Sequence, residues 1–130
     1  MRGIASARSR ALDLQIKQKS ETSLLAFMRH AWRVVDSATP FVSGWVLQAI
    51  CEHLEAVTHG YIKRLIINLP PGSTKSTSIY MWSAWEWGPQ NRPSIRVIKA
   101  SYSDDLAERD VMRCRSVVES PWYRTTENLS

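Results

Sequence analysis

Residues 64–77, with the sequence RLIINLPPGSTKST, decide the fold that we predict for this chain. The stretch opens with a short apolar run at residues 65–69, rich in β-branched side chains and typical of a buried strand. Residues 70–72 end that strand, and a helical pattern then runs from Lys75 to Gly88. Strand, turn, Lys-Ser and helix follow in the order of a phosphate-binding P-loop, where helix N–H groups and the helix dipole favour an anion.

The P-loop pattern assigns chemical roles to the residues of this turn. Lys75 would reach the β- and γ-phosphates as the catalytic cation, and the Ser76 hydroxyl would hold Mg²⁺. The predicted nucleotide-binding residues are Pro71, Gly72, Ser73, Thr74, Lys75, Ser76 and Thr77. The full pattern, G-x-x-x-x-G-K-S/T, has glycine where this chain has Leu69 and Thr74. Since a β-branched residue resists unusual φ/ψ, we expect strain at Thr74 unless Gly72 supplies the freedom.

The neighbouring patterns predict an α/β fold. Two N-terminal helices precede the loop, the first capped by Thr22 or Ser23 and the second over residues 45–59. A second strand follows at residues 94–100, and a fourth helix begins after Ser103. Strands joined by a helical crossover are parallel, so the expected architecture is a partial P-loop NTPase, a βαβα unit preceded by two helices. Its phosphate site would lie at the carboxyl end of the first strand.

Charge divides the chain into two predicted parts. The net charge is +5, and most of the excess lies in residues 1–20, where five basic side chains accompany one acidic residue, Asp13. We predict a loose basic arm over residues 1–20 and the N-terminal portion of a P-loop ATPase domain over residues 21–130. The arm is either solvated or in contact with nucleic acid. No apolar run is long enough to span a membrane, so no membrane partner is expected.

Four ordered blocks of sequence carry a family resemblance. They are GWVLQAICEHLEAVTHG (residues 44–60), IKRLIINLPPGSTKS (residues 62–76), AWEWGP (residues 84–89), and ASYSDDLAERD with SVVESPWY (residues 100–110 and 116–123). Together they resemble the N-terminal ATPase region of the large terminase subunit of tailed bacteriophages. The chain departs from that family at Val46, where a histidine is expected after Gly-Trp.

The resemblance implies a function, partners and a location. It implies an ATP-binding segment, using ATP and Mg²⁺, of a motor that packages viral DNA into the capsid in the cytoplasm of the bacterial host. The implied partners are double-stranded viral DNA, the portal protein and the small terminase subunit. In similar ATPases the segment ahead of the loop contacts adenine, which makes Phe41, Trp45 and Gln48 candidates, with core packing as the alternative.

Three alternatives stay open at this stage. The turn could be a proline-rich connection with a solvated Lys75. The chain could belong to another P-loop motor, such as a helicase. It could also be a truncated, non-catalytic remnant, because it contains neither a Walker B carboxylate nor a nuclease domain and is expected to be inactive alone. Asp104 and Asp105 do not replace that carboxylate, since they follow a polar Ser-Tyr-Ser and not an apolar strand.

Overall fold

A computed structural model describes residues 2–70 and 74–127 of the chain. In these ranges the regular secondary structure is entirely helical: α1 Arg2–Thr22, α2 Leu24–Val35, α3 Trp45–Thr58, α4 Lys75–Trp87, α5 Asp104–Glu119 and α6 Pro121–Glu127. Helices α2 to α5 form the centre of the fold, with α4 in contact with α2, α3 and α5. Helices α1 and α6 pack on its outside, against α2 and α5 respectively and against each other.

Local signals set the beginnings and ends of the central helices. Ser23 is the N-cap of α2, and its side chain accepts a hydrogen bond from the Ala26 N–H at 3.2 Å, which confirms the predicted start. Helix α3 ends before Gly60, whose φ of 81° lies in the left-handed region that glycine adopts without strain. Ser103 is the N-cap of α5 as predicted, although its hydroxyl makes no capping bond.

The core is built from apolar faces at helical spacing. Each of α2, α3 and α4 contributes four buried apolar side chains, and α5 and α6 complete the core. These residues are Leu24, Phe27, Met28, Ala31, Leu47, Ile50, Cys51, Leu54, Tyr80, Met81, Ala84, Trp85, Cys114, Val117 and Tyr123. On α5, Val111 is 55% exposed while Val117 is fully buried. The core side of each central helix therefore carries apolar residues at helical spacing.

The predicted α/β fold with parallel strands is wrong. Residues 64–70 and 95–101 carry no regular secondary structure, and no backbone ladder joins them within the described ranges. Burial still alternates along the first segment: Leu65, Ile67 and Leu69 pack against the helical core, whereas Ile66 is 85% exposed. A strand needs a neighbour to pair its N–H and C=O groups, and two strands alone form too few such bonds for a stable sheet. The core is instead closed by helix-on-helix packing.

The N-terminal segment is helical, unlike the loose arm predicted for residues 1–20. Arginine, leucine, alanine, lysine and glutamine dominate α1, and all of them favour helix. The end of α1 is docked: Ser20 is 1% exposed, and its carbonyl accepts a hydrogen bond from the Trp85 indole. The carbonyl of Glu21 accepts a second hydrogen bond, from the side chain of Gln90. Residues 6–12 remain exposed, as expected for a basic segment.

The free energy of unfolding is expected to fall in mildly acidic solution because of His30. Burial lowers the pKa of His30 from its usual 6.5, and the cations of Arg33, Arg29 and Lys19 lower it further. The unfolded chain therefore takes up a proton at a higher pH than the folded chain does. The contribution of His30 to the free energy of unfolding is fully present above about pH 6.5. It is lost as the pH falls through the lower folded-state pKa.

Urea unfolding of the wild type and of His30→Gln at pH 7.5 and pH 5.5 checks this expectation. The wild type should lose more stability than the variant over that interval, because glutamine does not titrate. The His30 ring stacks on Trp122 with centroids 6.0 Å apart, and any packing lost in the variant appears at both pH values. Equal losses in the two proteins would contradict the role of His30.

Candidate phosphate-binding site

The predicted site residues meet at the start of α4. Lys75 is the first residue of this 13-residue helix, and Thr74 occupies its N-cap position. The Thr74 side chain makes no capping bond, while its carbonyl accepts the Ser78 N–H at 2.8 Å and the Ser78 hydroxyl at 2.7 Å. Helix N-termini left uncapped by a side chain present N–H donors and the positive end of the dipole. The start of α4 therefore has the electrostatics that suit an anion.

The three residues of the first turn differ in accessibility. Ser76 is exposed, and Lys75 and Thr77 are half-buried. Within the described residues the Lys75 ammonium has no ion-pair partner. Thr77 lies beside the Tyr80 side chain, whose buried hydroxyl has no hydrogen-bond partner among the described residues. Lys75 and Ser76 are thus the groups of this turn that can reach a ligand from solvent.

The other predicted loop residues, Pro71, Gly72 and Ser73, lie outside the described residues. The expected convergence of their N–H groups with the Lys75 ammonium therefore stays a prediction. Leu69, which holds the first glycine position of the pattern, is half-buried against the helical core. The connection into α4 thus starts from a segment anchored by packing.

The three candidate adenine contacts are not brought together. Phe41 lies 5.8 Å from the Trp32 ring and under the Arg29 guanidinium, and it lines a cavity of about 360 Å³ beside α2. Trp45, the first residue of α3, is 79% exposed and lines a different cavity of about 270 Å³. Gln48 is exposed on α3. Lys75 lines neither cavity, so the adenine assignment gains no support from this geometry.

Thr74 does not adopt the positive φ on which the expected strain depends. Its φ is −47° and its ψ is 22°, and the only described non-glycine residue with positive φ is Asn91, at 51°. A negative φ is open to every L-residue, so a glycine is not required before Lys75. The departure from the P-loop pattern therefore does not force Thr74 into the left-handed region.

Thr74→Gly is accordingly expected to lower the free energy of unfolding by about 0.4–1 kcal/mol, because glycine adds freedom to the unfolded chain. Affinity for ATP should not rise, since there is no strain to relieve. Urea unfolding and calorimetric titration of the same samples check both statements. Thr74→Ala is the matched control for affinity, because it removes the same side chain without the extra backbone freedom. A gain in affinity for Thr74→Gly alone would restore the strain argument.

The structure contains two buried polar clusters that the sequence does not reveal. Lys99 Nζ lies 2.9 Å from Asp110 Oδ2, joining the segment before α5 to the helix itself. Glu86 is 4% exposed; one of its carboxylate oxygens accepts the Thr58 hydroxyl, and the other lies 3.7 Å from Arg92. The paired residues are separated by 6, 11 or 28 positions and belong to different elements. No local pattern marks them, and only tertiary contacts reveal the pairs.

The cysteines are structural. Burial raises the pKa of the Cys51 thiol to about 12, with Glu55 and Glu52 adding to the effect, and burial also raises the pKa of Cys114. Both are free thiols in the core. Because the thiolate is the reactive form, neither side chain is a nucleophile at neutral pH.

Comparison with known proteins identifies no relative: no family model, curated protein or solved structure matches this chain. Among the helices of the described residues, none has the length and apolar content needed to cross a membrane. The same residues contain no group of three His, Cys, Asp or Glu side chains placed to hold a metal ion. The Ser76 hydroxyl is the Mg²⁺ ligand that the sequence predicts, and it is exposed at the start of α4.

Proposed function

We propose that this chain is the ATP-binding segment of a nucleic-acid motor similar to the large terminase subunit of tailed bacteriophages. In that role it would bind ATP with Mg²⁺ and contribute to packaging viral DNA into a capsid in the cytoplasm of the bacterial host. Double-stranded viral DNA, the portal protein and the small terminase subunit are its proposed partners. The proposal concerns the site at the start of α4 and does not require a sheet.

One observation supports the proposal above the others: α4 begins at Lys75, immediately after the turn that the P-loop pattern predicts. A cation, an exposed hydroxyl and the N-terminus of a three-turn helix are thereby placed together. These groups suit a nucleoside triphosphate and its magnesium ion, because anions are favoured at helix N-termini and hydroxyls ligate Mg²⁺. The chemistry of phosphoryl transfer is mainly positioning and charge stabilisation, which Lys75 would supply in part.

The test compares Lys75→Ala with a matched lysine variant, Lys63→Ala. Lys63 is exposed on the segment that leads to the predicted loop, outside the helix, and it carries the same charge. Titration calorimetry with ATP and Mg²⁺ should show saturable binding by the wild type and by Lys63→Ala. Lys75→Ala should lose at least tenfold in affinity, because the charge nearest the phosphates is removed while the fold keeps its core. Circular dichroism of all three proteins shows whether the helices persist.

The outcomes separate the proposal from the alternatives left open by the sequence. Equal affinity of wild type and Lys75→Ala would show that Lys75 is merely solvated. Absence of ATP binding by the wild type would favour a non-catalytic remnant. Binding without turnover is expected, because no carboxylate is assigned to polarise the attacking water. Turnover by this chain alone would require an acidic residue that neither the sequence pattern nor the fold identifies.

A further inference from the structure

A cavity of about 500 Å³ lies between α4, α5 and residues 97–99, apart from the site at Lys75. Trp82 and Trp87 line it from α4, and Val111 and Val118 line it from α5. Small-molecule sites in proteins have volumes of about 300–1,000 Å³ and walls that are mainly apolar and aromatic. Neither Lys75, Ser76 nor Thr77 lines this cavity, so it is independent of the proposed ATP site.

The two indole rings in the wall of the cavity offer ring faces and edges, because both of their N–H groups are already hydrogen-bonded. The Trp82 indole N–H donates to the Thr58 hydroxyl at 2.8 Å, and the Trp87 indole N–H donates to the Ile95 carbonyl at 2.9 Å. Both bonds point away from a ligand and hold the rings in place. A pre-organised pair of indole rings favours an aromatic occupant, since such rings prefer offset or edge contacts with another ring.

The charged groups of the lining are already paired with one another. Lys99 and Asp110 form an ion pair at 2.9 Å, and Arg115 and Glu119 form another at 2.8 Å. The two positive and the two negative charges of the lining therefore neutralise each other. A charged ligand would have to separate one of these pairs or remain unpaired in an apolar space, which costs free energy. A neutral ligand avoids both costs.

We propose that this cavity binds a neutral aromatic molecule, of about the size of two or three fused rings. Its volume also argues against a partner helix. A helix about 10 Å wide occupies roughly 420 Å³ per turn of 5.4 Å, so the cavity accepts little more than one turn. A flat molecule between the α4 tryptophans and the α5 valines meets apolar side chains on both of its faces.

The test uses N-phenyl-1-naphthylamine, a neutral dye whose fluorescence rises in apolar surroundings, and its anionic relative 1-anilinonaphthalene-8-sulfonate. The wild type should bind the neutral dye saturably, with one molecule per chain, and more tightly than the anionic dye. Val111→Phe projects a ring into the mouth of the cavity and should weaken binding at least tenfold. Val42→Phe is the matched control, because Val42 is also exposed, at 75%, and lies outside the lining.

Several results would overturn this proposal. They are non-saturable binding by the wild type, tighter binding of the anionic dye, or equal weakening by both phenylalanine variants. Circular dichroism of each variant shows whether it is folded, and the wild-type titrations test the proposal without any variant. Size-exclusion chromatography supplies one more readout: self-association that disappears in Val111→Phe would make the cavity an interface between copies and overturn the small-molecule assignment.

Discussion

Replacing Trp85 with alanine is expected to lower the free energy of unfolding by about 3–5 kcal/mol, the cost of deleting a large side chain from a packed core. Trp85 is 0% exposed and lies on α4, the helix that contacts α2, α3 and α5. Its indole N–H also donates to the Ser20 carbonyl at 2.5 Å, so the change leaves a buried acceptor without that donor. A domain of this size has a total stability of about 5–15 kcal/mol, so the variant is close to unfolding.

Urea unfolding followed by circular dichroism measures this loss. Trp45→Ala is the matched control, because Trp45 is the same residue type at 79% exposure on α3. Its unfolding free energy should stay within about 0.5 kcal/mol of the wild type, as for most surface substitutions. Comparable losses for the two variants would mean that α4 is not the centre of the core. The end of α1 should also loosen in Trp85→Ala, which amide hydrogen exchange near Ser20 would detect.

Asp110→Ala is expected to lower the free energy of unfolding by about 3 kcal/mol, the low end of the cost of breaking a buried ion pair. The Asp110 side chain is 9% exposed and the Lys99 side chain 23%. Arg109 lies 3.6 Å from the other carboxylate oxygen but is half-exposed, so it retains water after the change. Lys99 does not retain water. Its ammonium is left in an apolar surrounding without a counter-charge.

A double variant separates the lost charge from the lost packing. Lys99→Met combined with Asp110→Leu removes both charges and keeps side-chain volume, so it should recover most of the stability that Asp110→Ala loses. Glu119→Ala removes an anion from the exposed pair with Arg115 and should leave the urea midpoint unchanged within error. If the double variant is as unstable as Asp110→Ala, packing and not an unpaired ammonium explains the effect.

Local sequence was sufficient to place the central helices. Ser23 caps α2, Gly60 follows α3, and apolar residues at helical spacing line their buried faces, because these signals act within one or two turns of chain. The start of α4 at Lys75 was also predictable from the turn before it. The first-turn part of the candidate site, Lys75 with Ser76, therefore follows from sequence.

Only the tertiary structure decided the remainder of the fold. Residues 65–69 alternate in burial as a strand would, and the sequence alone predicts a strand there. Whether such a segment joins a sheet depends on a partner that pairs its backbone, and no residue of the described chain does so. Likewise, helix propensity in residues 2–22 is local, but the docking of α1 depends on Trp85 and Gln90, far along the chain.

The sequence by itself determined where the central helices α2 to α5 begin, most of the faces they bury and which cation stands at the start of α4. The pairing of Lys99 with Asp110, the negative φ of Thr74 and the separation of Phe41 from Trp45 were decided by tertiary structure. The physical reason is the distance along the chain over which each kind of interaction acts. Capping and periodicity act between neighbours in the chain, whereas ion pairs, cavities and sheet ladders join residues whose sequence separation carries no signal.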